Sequence, residues 1–101
     1  MPAGEFKKPF AVHDSGAVRK LFLDLQLRAA LEGRGQEMLD AYRQIVQRLQ
    51  TDPLGFGEPK YSLKHLRLQV RSCSIRPLVV DYAVTVEHQL VFIKFLRLMS
   101  A

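Results

Sequence analysis

Residues 60–98 read KYSLKHLRLQVRSCSIRPLVVDYAVTVEHQLVFIKFLRL, and this stretch decides the fold. Leu66, Leu68 and Val70 alternate with Arg67, Gln69 and Arg71, the period of two that a strand with one buried face imposes. The spacing predicts a strand over residues 63–72, followed by a polar connection over 72–76. Leu78 to Val84 is rich in β-branched residues, and Leu90 to Leu98 is a second long apolar run. Pro77 opens the first of these, where a strand tolerates it, and residues 85–89 turn the chain between them. Three such runs in succession predict an antiparallel meander. On the last, Val91, Ile93 and Phe95 share one face, and Leu90, Phe92, Leu96 and Leu98 share the other.

Upstream of this sheet the period changes. From Ala17 to Glu32, Val18, Leu21, Phe22, Leu25 and Ala29 recur at helical spacing. Leu23, Leu27 and Leu31 widen the apolar face, so this helix is expected to be buried on more than one side. Asp14 or Ser15 can cap it, and Gly33-Arg34-Gly35 stops it. A second helix is predicted over 36–50 on the stripe Met38, Tyr42, Ile45 and Leu49, ending at Asp52-Pro53. So short a turn makes the two an antiparallel hairpin. TDPLGFGEP, residues 51–59, reads as a loop whose Leu54 and Phe56 tuck against the core. Phe10-Ala11-Val12 reads as a short strand and residues 1–9 as a tail. The fold class expected is therefore α+β: a single domain over 10–101, with a helical hairpin packed on a three- to four-stranded, mostly antiparallel sheet. Two helices cover one face of such a sheet, yet its strands are apolar on both. A partner or a second copy is expected on the other face, with Val91, Ile93 and Phe95 as the interface.

The chain has 101 residues, 48% of them hydrophobic, with a net charge of +5 and a pI of about 9.7. That balance favours anionic partners. No run of 18 apolar residues exists, so no membrane span is expected, and the N-terminal lysines precede no apolar segment of a secretory signal. The single cysteine, Cys73, allows no disulfide within the chain, which fits a reducing, cytoplasmic setting. His13, His65 and His88 are too scattered for a metal-ligand spacing, and no glycine-rich phosphate loop or nucleophile elbow is present. No metal and no small-molecule cofactor is expected.

The charge is clustered. No acidic residue lies between Glu58 and Asp81, while Lys60, Lys64, Arg67, Arg71 and Arg76 all fall there. Arginines at such positions can grip a phosphate bidentately. His65 beside them is either a candidate acid or base at neutral pH or an exposed strand-start residue. Tyr61 is a candidate for stacking on a base, whereas Tyr82 reads as core. Asp81 is expected to pair with Arg71 or Arg97 across the sheet. Cys73, in a polar loop beside Arg71 and Arg76, is either a thiol whose pKa those charges lower or an incidental one.

A short strand, a helical hairpin, the loop DPLGFGEP (52–59) and the paired runs PLVVDYAVTVEHQLVFIKFLRLM (77–99) together resemble the RelE/ParE superfamily of toxins from type II toxin–antitoxin pairs. The resemblance spans residues 10–98 and rests on sheet patterns rather than on a chemical motif. It implies a toxin-like protein acting on RNA or the ribosome through a basic strand and neutralised by an antitoxin-like partner. On that reading Lys60, Tyr61, Lys64, Arg67, Arg71, Arg76 and Arg97 bind RNA. Arg67, Arg71, Arg76 and His65 carry metal-independent cleavage by 2′-hydroxyl attack. The chain departs from the nuclease pattern, because only Leu98, Met99, Ser100 and Ala101 follow Arg97 and the family's C-terminal tyrosine or histidine has no counterpart. The alternatives are a non-catalytic interaction or dimerisation module on the same fold, and a nucleic-acid-binding protein without catalysis.

Overall fold

The structure is a computed structural model and describes residues 8–100; of the expected tail, residues 1–7 lie outside the described residues. It is an α+β fold of two helices and a five-stranded mixed sheet, with strand order β1-β5-β4-β3-β2. The strands are β1 (Ala11–Asp14), β2 (Glu58–Leu63), β3 (Leu68–Ile75), β4 (Leu78–Thr85) and β5 (Leu90–Leu98). β1 runs parallel to β5, and every other pairing is antiparallel.

Helices α1 (Gly16–Leu31) and α2 (Gly35–Thr51) form the expected hairpin. The Ser15 hydroxyl accepts the Val18 N–H at 3.1 Å and so caps α1. Gly33, at φ +73°, makes the turn after α1, and the Arg34 N–H closes on the Ala29 carbonyl at 2.7 Å. The core packs Val18, Leu25 and Ala29 of α1 and Met38, Ala41, Ile45 and Leu49 of α2 onto one face of the sheet. That helix-side face presents Cys73, Leu78, Val80, Tyr82, Val84, Val91, Ile93 and Leu96. Among the described residues, the opposite face carries no helix.

Several expectations need correction. The strand predicted over 63–72 is two strands. Leu63 ends β2, Lys64–Leu66 form a 3₁₀ turn, and Arg67 lies in the left-handed region at φ 52°, which reverses the chain into β3. The sheet therefore has five strands rather than three or four. Residues 72–75, read as a polar connection, continue β3 because β4 pairs them throughout, Ser72 with Asp81 to Ile75 with Leu78. Leu23, Leu27 and Leu31 are 62%, 64% and 81% exposed, so α1 is buried on one side only and its leucine stripe faces away from the sheet. In β5 the alternation breaks. Asp81 pairs with Phe95 and Tyr82 with Ile93, leaving Lys94 as the extra residue of a bulge. Val91 and Ile93 thus lie buried under the helices with Leu96, whereas Phe95 turns to the open face with Phe92. The interface predicted from Val91, Ile93 and Phe95 does not exist as one surface.

The loop between α2 and β2 is held from the sheet side. The Tyr82 hydroxyl, fully buried, lies 2.7 Å from the Pro53 carbonyl and also meets the Phe56 carbonyl. Arg71 donates to the Gly57 carbonyl at 3.1 Å. Gly57 sits at φ +81°, and a Cβ there would stand 2.6 Å from the Ser72 carbonyl, so only glycine fits. Phe56 is half-buried beneath the Arg48 guanidinium, 4.6 Å from its ring centroid, but Leu54 is 40% exposed and does not tuck in as expected.

Candidate nucleic-acid interface

The open face is built from the residues that alternate away from the helices. One cross-strand row passes over all five strands: His13 on β1, Phe92 on β5, Ala83 on β4, Val70 on β3 and Tyr61 on β2. Its middle is small and buried, Ala83 at 4% and Val70 at 2% exposure, and its flanks are aromatic. His13 stacks on Phe92 with ring centroids 5.8 Å apart. The row is therefore a shallow trough with an aromatic wall on each side, about 14 Å apart across three strand spacings.

The next row adds Phe95, Asp81, Ser72 and Glu58, and beyond it lie Arg97, Val79 and Ser74. Between the first two rows stand two lysines. Each is the extra residue of a bulge, Lys60 between Pro59 and Tyr61 on β2 and Lys94 between Ile93 and Phe95 on β5. Both reach across the open face. Lys60 Nζ lies 3.1 Å from Asp81 Oδ2, and Lys94 Nζ lies 3.2 Å from the Tyr61 hydroxyl and 5.7 Å from the centre of its ring. Neither contact locks its lysine: a part-exposed ion pair contributes about 0–1 kcal/mol, and an exposed cation–π contact about 0.5–1 kcal/mol. Phe92, Phe95 and Tyr61 are 38%, 49% and 48% exposed. Chemically, the face offers flat apolar rings for stacking and cations beside them for phosphate.

The residues expected to form one basic strand are dispersed. Lys60, Tyr61 and Arg97 do share the open face. Lys64, His65 and Arg67 lie at one end of the sheet in the 3₁₀ turn, where Arg67 pairs with Glu87 at 2.7 Å. Lys64 and Arg67 line a cleft of about 580 Å³ there together with Ser62, Gln69, Val86 and Glu87. Arg76 sits beyond the far end of β3, about 25 Å away along eight extended residues. Arg71 is buried on the helix side, with one guanidinium nitrogen 2.6 Å from Gln69 Oε1 and another on the Gly57 carbonyl. Arg67, Arg71, Arg76 and His65 therefore do not converge on one phosphate. Asp81 pairs with Lys60 rather than with Arg71 or Arg97.

Cys73 is not a loop thiol. It is buried in β3 on the helix side, and burial, helped by the Asp81 charge, pushes its pKa from 9.0 up to about 12. It stays protonated at neutral pH and is no nucleophile. Burial raises the Tyr82 hydroxyl as well, and that of Tyr42, which Asp14 raises further. Among the described residues, no three His, Cys, Asp or Glu side chains are grouped to hold a metal ion, and no helix is long and apolar enough to cross a membrane.

Sequence spacing does not single out Phe92, His13 and Lys94 as candidate binding residues. The signal for Lys94 was its position inside an otherwise apolar run. For His13 and Phe92 the signal is the parallel pairing of β1 with β5, which no local pattern carries.

No family model, curated protein or solved structure matches the chain.

Proposed function

We propose that this chain is a toxin-like, RNA-directed protein that binds single-stranded RNA across the open face of its sheet. The observation that carries the reading is the pair of bulges that bring Lys60 and Lys94 onto a face already lined by Tyr61, Phe92 and Phe95. Bulges re-aim side chains at the cost of ladder pairing and concentrate beside functional sites. Aromatic side chains on an open sheet stack on splayed bases, and neighbouring cations follow the backbone. A duplex hides its bases from such a face, so the preferred ligand is a single strand. The toxin-like part of the reading rests on the RelE/ParE resemblance, with the helical hairpin packed on one side of a largely antiparallel sheet. Binding, rather than cleavage, is what this face supplies.

The test is fluorescence anisotropy of labelled octauridylate over a range of salt. Contacts from Lys60, Lys94 and Arg97 to two or three phosphates predict that log K falls with log[salt] at a slope of about −1.4 to −2.1. A 16-base-pair RNA duplex should bind at least tenfold more weakly. Salt-independent binding, or preference for the duplex, contradicts the proposal.

A second reading is favoured by a different observation. Leu23, Leu27 and Leu31 form an exposed apolar stripe on α1, as on a helix that docks against a partner protein. An interaction module of this kind yields a stable complex that shields Leu27 and shows no affinity for octauridylate.

A further inference from the structure

Resting on the RNA-binding reading, we infer that the Lys60–Asp81 pair selects guanine among the bases that stack on Phe95. Asp81 is the carboxylate at the centre of the open face. Its cross-strand neighbours are Phe95 on β5 and Ser72 on β3, with backbones about 5 Å away on either side. Asp81 Oδ2 accepts from Lys60 Nζ at 3.1 Å, and among the described residues Oδ1 accepts no hydrogen bond. The Asp81 side chain keeps 25% exposure and the Lys60 side chain 46%, so both are open to a ligand.

A base lying on the Phe95 ring turns its polar edge towards the neighbouring strand, where this pair stands. The pair offers a fixed pattern: an ammonium that only donates, next to a carboxylate that only accepts. Guanine matches it in order. Its O6 accepts from Lys60, and its N1–H and N2–H groups donate side by side to the carboxylate. Adenine and cytosine each set a ring acceptor beside their single amino donor, and that acceptor faces the carboxylate unfavourably. Uracil has one N–H between two carbonyls and uses only half the pattern. The interruption of an apolar strand by a partly exposed aspartate also finds its use here. Val79, Val80, Tyr82, Ala83 and Val84 are all buried around Asp81, and no packing requirement calls for a carboxylate among them.

The experiment compares octauridylate with the same strand carrying guanosine at its fourth position, at constant salt. Wild-type protein should bind the guanosine strand about tenfold more tightly. Replacing that guanosine with inosine, which lacks the N2 amino group, should remove most of the gain without any change in the protein. Asp81→Asn should keep the wild-type circular dichroism spectrum and lose the guanosine preference, the ratio of its affinities for the two strands falling to about one. Equal binding of the guanosine and uridine strands by wild type overturns the inference while leaving RNA binding intact. So does a preference that inosine preserves or that survives in Asp81→Asn. Failure of wild type to bind either strand overturns both the inference and the reading beneath it.

Discussion

Replacing Tyr61 and Phe95 together with alanine is expected to weaken octauridylate binding by about 30-fold or more. Stacking on an aromatic side chain contributes about 1–3 kcal/mol per base, so two lost platforms remove about 2–6 kcal/mol. Both rings are half-exposed at the open face, at 48% and 49%, and neither belongs to the core. The double variant should therefore keep its thermal midpoint, which separates lost binding from lost folding. Tyr61→Phe is the informative control. It keeps the ring and loses only the hydroxyl that Lys94 approaches at 3.2 Å, so its affinity should fall less than threefold. The measurement is anisotropy at fixed low salt, with circular dichroism melts alongside. If affinity is lost instead in Lys64→Ala with Arg67→Ala, RNA binds in the end cleft beside the 3₁₀ turn and not on the sheet.

Leu25→Ala is expected to cost about 2–5 kcal/mol, and Leu27→Ala less than about 0.5 kcal/mol, although the two leucines stand two residues apart on α1. Leu25 is 4% exposed and packs in the core between the hairpin and the sheet. Its truncation leaves a cavity that close-packed neighbours fill only in part. Leu27 is 64% exposed and lies on the far side of the helix. For a domain of this size the larger value is a substantial fraction of total stability. Urea unfolding of both variants at two protein concentrations checks the claim. Equal costs would mean that α1 is rotated about its axis from the position described. A cost at Leu27 that grows with protein concentration would mean that a second copy covers the leucine stripe.

The contrast between these leucines shows where sequence reading stops. Helical spacing identifies both as apolar residues on one helix. It does not say how many sides of that helix find cover, because that depends on how much sheet lies beneath. The α2 stripe, Met38, Tyr42, Ile45 and Leu49, is legible because Glu37, Asp40, Arg43, Gln44, Gln47 and Gln50 mark out a polar side opposite it. β2 was hidden for the opposite reason. EPKYSL has no run of apolar residues to alternate, since an edge strand needs little burial, and five of its six residues are exposed.

The candidate site was legible in its residue types and not in its geometry. Tyr61, Lys60 and Arg97 were identified from the basic window, the neighbouring ring and the family resemblance, and they share the open face. The position of Arg71 in the basic window points to the same surface. Arg71 turns inward because Val70 occupies the open face between Tyr61 and Ala83, so its neighbour must face the helices. The bulges at Lys60 and Lys94 shift every residue beyond them by one face. An inserted residue leaves no trace in composition, and so Phe95 was grouped with Val91 and Ile93 although it lies on the opposite side.

The central claim, that the open face of the sheet is the RNA-binding surface, is tested most directly by titrating isotopically labelled protein with octauridylate and following backbone amide resonances. The account predicts that the largest shifts fall at His13, Tyr61, Phe92, Lys94 and Phe95, with α1 and the 3₁₀ turn unchanged. Shifts concentrated at Leu23, Leu27 and Leu31, or at Lys64, Arg67 and Glu87, would contradict it.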